Sequence, residues 1–164
     1  MKIDTSLALE SLARFDTSKT KRLKIDSIDA PFRDSAYRAL LGMKNLRTLV
    51  LSRCSRLLCV FMDALNPNTG PLKEVVCPLL EELVFVLRVR RDFEGEDGEE
   101  FDMGTVIEMA AARASRGARL RTVKDQAELD LVDVAELRKH VLQVECGPEA
   151  DVYNDGGDYD DEEE

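Results

Sequence analysis

The sequence predicts an α/β solenoid, with a parallel sheet on one face, helices on the other, and irregular strand–turn–helix units. Three observations carry this. The stretch Asn45 to Cys54, N-L-R-T-L-V-L-S-R-C, places apolar residues at Leu46, Leu49 and Leu51, with Cys54 three places later. The spacing returns at Leu80, Leu83 and Phe85, and in poorer form at Leu120 and Val123. Stretches with helical apolar spacing lie between these segments. A single unit of this kind leaves one apolar face uncovered, so neighbouring units must stack.

L-x-x-L-x-L-x-x-C is the leucine-rich-repeat spacing, with cysteine in the slot that often holds asparagine. Leu49 and Leu51 sit two apart and so point to one face of a strand, while Leu46 turns inward from the preceding bend. Cys54 reads as a small, buried residue closing the turn after the strand. The strand centres Leu49, Leu83 and Val123 are 34 and 40 residues apart (83 − 49 and 123 − 83). Standard repeats run ~20–29 residues. The excess falls in a Pro/Gly turn and an acidic loop, where a stacked array accepts insertions. Four or five irregular units are expected.

Taken in order, Thr5 to Arg14 has Leu7, Leu9 and Leu12 near helical spacing and leads to a strand over Lys21 to Ile25. Pro31 suits the first turn of a helix, with Asp29 as its cap. Phe32, Ala36, Tyr37, Leu40 and Leu41 form that helix's apolar stripe, and Gly42 stops it. After the Leu49 strand, Ser55 to Leu65 reads as a helix with a stripe of Leu58, Phe61, Met62 and Leu65. Asn66 to Pro71 (N-P-N-T-G-P) breaks it.

Cys77 to Leu87 is almost all apolar, as a strand covered on both faces would be. Residues 92–102 hold seven acids around Gly95 and Gly98, which predicts a flexible acidic insertion. Thr105 to Ser115 is an Ala-rich helix, with Thr105 and Glu108 at capping-box spacing and Gly117 as its stop. A strand follows over Leu120 to Val123. Asp133 and Glu136 repeat the capping-box spacing for a helix over Val134 to His140, and Val141 to Val144 is the last strand. The repeat domain therefore spans residues 1–147, and residues 148–164 form a disordered acidic tail.

The chain has 164 residues and is 44% hydrophobic but only 5% aromatic, without tryptophan, so its core is aliphatic. The net charge of −10 is mostly local. Residues 149–164 hold nine acids and no Lys or Arg, which leaves 33 − 9 = 24 acids against 23 bases, a net of −1 elsewhere. A nearly neutral body argues against nucleic acid as a partner, since phosphate binding needs a surplus of Lys and Arg. No apolar run reaches the ~18 residues of a membrane span, and the first residues carry no secretory h-region. A cytoplasmic or nuclear location, with no membrane partner, is the expectation.

Cys54, Cys59, Cys77 and Cys146 form no C-x-x-C, and His140 has no zinc-site partner in spacing. Buried free thiols are expected. No nucleophile–base spacing, phosphate loop or H-E-x-x-H occurs, so no catalytic residue, metal site or cofactor is expected. Asp151 to Glu162 has Asp151, Asp155, Gly156 and Glu162 at calcium-loop positions, but Tyr153 occupies a ligand position and the segment reads as tail. What remains is the outward face of the strands. Strand alternation puts Arg22, Lys24, Asp26, Thr48, Val50, Ser52, Glu82, Val84, Val86, Thr122 and Lys124 on the concave side. This is a polar patch with an apolar centre at Val50, Val84 and Val86, which suits either the binding of a protein or a plain solvated face.

N-L-R-T-L-V-L-S-R-C, C-P-L-L-E-E-L-V-F-V-L and V-I-E-M-A-A-A-R-A-S-R-G-A-R-L-R-T-V together resemble the leucine-rich-repeat region of fungal F-box proteins, over roughly Leu23 to Cys146. The resemblance implies a curved solenoid whose concave sheet holds a protein substrate. It also implies attachment to a cullin-type ubiquitin ligase adaptor through an N-terminal F-box; no L-P-x-E-type segment precedes Leu23. The expected function is that of a non-enzymatic protein-interaction scaffold for substrate recognition. The alternative is a structural or truncated repeat remnant without ligase association.

Overall fold

The computed structural model describes residues 16–26, 33–52, 55–70, 73–86, 103–125 and 129–147. Strands and helices alternate along them: β1 (Arg22–Asp26), α1 (Arg33–Leu41), β2 (Thr48–Ser52), α2 (Ser55–Leu65), β3 (Glu82–Val86), α3 (Met103–Ser115), β4 (Thr122–Asp125), α4 (Leu131–Leu137) and β5 (Gln143–Cys146). The five strands form one parallel sheet whose order is the chain order. Parallel neighbours need a crossover between them, and helices supply it here.

The expected apolar spacing sets the register. Leu23, Leu49, Leu83, Val123 and Val144 align across the five strands. Leu49, Leu51, Leu83, Phe85 and Val123 are fully buried in one core with the helices. Leu46, Leu80, Leu120 and Val141, each three residues ahead of that row, turn in from the bend and are buried as well. The backbone ladder begins one residue before each strand. The Arg47 N–H donates to the Lys21 carbonyl at 2.8 Å, Glu81 to Arg47 at 2.9 Å, and Arg121 to Glu81 at 2.8 Å.

The helices pack in sequence, α1 on α2, α2 on α3 and α3 on α4. α2 buries Phe61, Met62 and Leu65 completely. α1 buries Ala36, Tyr37 and Leu40, but Leu41, expected in its stripe, is exposed. α3 ends in a Schellman motif: Ala118 N–H donates to the Arg113 carbonyl and Gly117 N–H to that of Ala114. Gly117 adopts φ +76° there, the left-handed conformation that glycine reaches without Cβ strain.

Several boundaries differ from the sequence reading. α3 starts at Met103, because Met103 is itself buried in the core, so Thr105 lies inside the helix rather than at its cap. α4 starts at Leu131 because Asp130 caps it, its carboxylate accepting from Val132 N–H at 2.8 Å; Asp133 falls in the first turn. The third strand begins at Glu82 rather than Cys77, since Cys77 sits at φ +50° and cannot join a ladder. β5 begins at Gln143, with Val141 serving as the inward bend residue.

The thiols also depart from expectation. Cys77 is buried, whereas Cys59 and Cys146 are exposed. The expected helix over 5–14, the Pro31 start, Cys54, the insertion at 92–102 and the tail at 148–164 lie outside the described residues. Among the described residues no helix is long and apolar enough to cross a membrane.

Candidate functional site

Strand alternation places the expected residues on the sheet face away from the shared core. Arg22, Thr48, Glu82, Thr122 and Gln143 form one row, and Lys24, Val50, Val84, Lys124 and Glu145 the next. Asp26, Ser52 and Val86 form a third row. Arg22 and Lys24 are exposed, while Thr48, Glu82, Val86 and Lys124 are half-buried. The side chain of Asp26 is outside those described.

The apolar centre expected at Val50, Val84 and Val86 is largely covered. Val50 is 0% and Val84 3% exposed, although neither belongs to the core shared with the helices. Ser52 and Thr122 are buried too. The two valines are the short members of a row that has Lys24 beside Val50 and Lys124 beside Val84, and long aliphatic stems cover short neighbours. Apart from half-buried Val86, the accessible part of the face is polar.

Its polar groups are linked. Lys124 Nζ lies 3.0 Å from Glu82 Oε1 and 3.4 Å from Glu145 Oε2. Thr48 Oγ1 donates to Glu82 Oε2 at 3.2 Å, and Gln143 Nε2 to Glu145 Oε1 at 2.7 Å. The Lys124 ammonium is held above its ordinary pKa, chiefly by its hydrogen bond to Glu82. Half-exposed pairs of this kind contribute about 0–1 kcal/mol each. The chain therefore sets the arrangement of charges across β2 to β5 more than it sets stability.

One further row, in the bends just before the strands, was missed by the sequence reading. Arg47 Nη1 meets Glu81 Oε1 at 2.8 Å. Thr48, Glu81, Glu82, Arg121, Thr122 and Gln143 line an open depression of about 260 Å³. The signal was present in the sequence. In L-x-x-L the two intervening positions both leave the core, so Arg47, Glu81 and Arg121 are as outward as Thr48, Glu82 and Thr122.

A second polar cluster lies inside the molecule. Arg113 of α3 is fully buried and donates from Nη1 to the Val76 carbonyl at 2.7 Å and from Nη2 to the Cys77 carbonyl at 2.8 Å. Its Nε has no partner. Burial pushes its pKa down to about 10, which still leaves it charged at neutral pH. The neighbouring Cys77 thiol donates to the Leu40 carbonyl at 3.3 Å, and burial pushes it up to about 12. A thiol so held is neutral and a poor nucleophile. Arg116 binds the Lys73 carbonyl at 2.8 Å. Arg119 donates to the carbonyls of Lys139, His140 and Val141. Arg113, Arg116 and Arg119 thus tie the end of α3 to the connections on both sides of it.

His140, the one histidine, has Nε2 at 3.8 Å from Glu136 Oε1. Lys139 also pairs with Glu136 and is the main cause of that carboxylate's lowered pKa. Among the described residues no group of three His, Cys, Asp or Glu side chains is gathered as for a metal. Comparison with protein-family models, with curated proteins and with solved structures finds no match for this chain.

Proposed function

We propose that the protein is a non-enzymatic interaction scaffold of the leucine-rich-repeat solenoid type, which holds another protein against the outward face of its sheet. The observation that supports this most is the parallel sheet in chain order, with Leu23, Leu49, Leu83, Val123 and Val144 in one register. Every strand then presents its alternate residues on the same side, and neighbouring rows add up to a continuous polar surface. The likeness of its motifs to fungal F-box proteins supports substrate recognition for a cullin-type ubiquitin ligase as the context. The rival reading, a structural or truncated repeat remnant, has the same fold and no ligand.

The test is affinity capture with the full native gene product, repeated with Lys24→Glu and Glu82→Lys. The scaffold reading expects a discrete partner whose recovery falls at least severalfold in both variants. Recovery of cullin-ligase adaptors alongside it would support the ligase context. Equal recovery by wild type and both variants would move the site off this face.

A further inference from the structure

The strand-leading edge carries a charge pattern that defines its partner more closely, and the inference rests on the scaffold reading. The row Lys21, Arg47, Glu81 and Arg121 is fixed by its backbone bonds, each residue's N–H donating to the carbonyl of the one before it in the row. Glu81 is engaged by Arg47. In the next row Glu82 is engaged by Lys124 and Thr48, and Glu145 by Lys124 and Gln143. Lys21 and Arg121 are exposed, and among the described residues neither side chain has a hydrogen bond or ion pair. The charges left available along this edge are therefore positive, in a chain whose net charge is −10.

Val50 and Val84 are already buried, so the face offers an apolar helix little to cover. Lys21 and Arg121 stand three strand spacings apart, ~14 Å at ~4.8 Å each. An extended peptide crossing the strands advances ~3.4 Å per residue, so about four residues bridge them with both side chains on one side. We infer that the leading edge binds an extended acidic segment of a partner protein, with carboxylates four residues apart meeting Lys21 and Arg121. The second carboxylate meets Arg121 at the rim of the depression that Thr48, Glu81, Glu82, Thr122 and Gln143 also line, where Glu81 is already held by Arg47 and Glu82 by Lys124 and Thr48.

The probes are nine-residue synthetic peptides on a Ser/Thr background, read by fluorescence anisotropy against the full chain in 50 and 300 mM salt. One carries Glu at positions 3 and 7, one Glu at 3 and 5, and one Gln at 3 and 7. The 3,7-Glu peptide should bind roughly tenfold more tightly than the Gln peptide in low salt, with the gap narrowing in high salt as the charges are screened. Lys21→Glu and Arg121→Glu should each weaken it about three- to tenfold. A peptide with Lys at position 7 should recover binding to Arg121→Glu. Circular dichroism melts establish that both variants fold.

Equal binding of Glu and Gln peptides, or no effect of either variant, overturns the inference. So does an oligonucleotide of equal charge binding as tightly, since that marks generic polyanion attraction. A captured partner that still depends on Lys24 and Glu82, while no acidic peptide binds, would overturn this inference and leave the scaffold reading standing.

Discussion

The connection from α2 to β3 runs over residues 66–81, whereas that from α3 to β4 takes only 116–121. The short one turns on Gly117 at φ +76°, closed by two backbone bonds of its own. Among its described residues the long one has two non-glycine residues in the left-handed region, Lys73 at φ 51° and Cys77 at φ 50°. Such residues persist only where their surroundings hold them. Here the holding groups come from the next helix and the turn that follows it: Arg113 on the carbonyls of Val76 and Cys77, and Arg116 on that of Lys73. A short turn can be specified by one residue, but a long connection has to be secured from outside.

The strongest way to break this comparison is Arg113→Ala. It removes two charge-assisted bonds, takes from the Val76 carbonyl its side-chain donor, leaves that of Cys77 with the Leu80 N–H alone and opens a cavity, for a cost of about 3–5 kcal/mol. That matches the ~2–5 kcal/mol expected of Leu49→Ala at the centre of the sheet. Urea melts give both values. A cost under about 1 kcal/mol for Arg113→Ala would mean that the long connection holds itself.

The next effect is smaller and has opposite signs in the two connections. Gly117→Ala should cost about 1–2 kcal/mol, because a Cβ is strained at positive φ even though nothing crowds it. Lys73→Gly should cost nothing or stabilise by up to about 1 kcal/mol by relieving the same strain. Destabilisation by Lys73→Gly as large as that by Gly117→Ala would erase the distinction.

The smallest effect on stability, and the sharpest local reporter, is the reactivity of Cys77. N-ethylmaleimide at neutral pH should modify Cys59 and Cys146 in the native protein and Cys77 only on unfolding, as peptide mass mapping would record. Arg113→Ala should speed Cys77 labelling under native conditions. The raised folded pKa of Cys77 contributes stability that is complete below the ordinary thiol range, about 9, and lost as pH rises toward about 12. Arg113, lowered to about 10, acts with the opposite sign above that pH. The stability of Cys77→Ala should therefore fall less steeply than wild type between pH 9 and 10.

The strands were legible because two apolar residues at strand period, preceded by a third at three residues' distance, satisfy a bend and a strand at once. Ser55 to Leu65 was legible for a similar reason, its apolar stripe being flanked by strong turn residues. The starts of the two later helices were not. Capping-box spacing occurs at Thr105 and Asp133, but tertiary burial of Met103 and the competing cap at Asp130 set the observed beginnings. Arg113 lies within the expected Ala-rich helix over Thr105 to Ser115. Its partners lie 36 and 37 residues away, and local pattern carries no sign of them. At the candidate site, alternation identified the face, yet it could not tell that Val50 and Val84 would be covered. It also passed over Arg121, whose position follows from the same spacing.

Strand order equal to chain order has a consequence for the folding route. Neighbouring strands are separated by 26 residues (48 − 22), 34 (82 − 48), 40 (122 − 82) and 21 (143 − 122). Loop-closure entropy favours β4–β5 over β3–β4 by only ~0.6 kcal/mol, about threefold in rate. One fully buried aliphatic or aromatic side chain outweighs that difference. Leu49, Leu51, Leu83 and Phe85, all without exposure, meet in the β2–β3 pair. The folding nucleus should accordingly form in the middle of the sheet and spread to both ends, with φ-values near 0.5–0.8 for truncations at Leu49 and Leu83 and near zero at Val144.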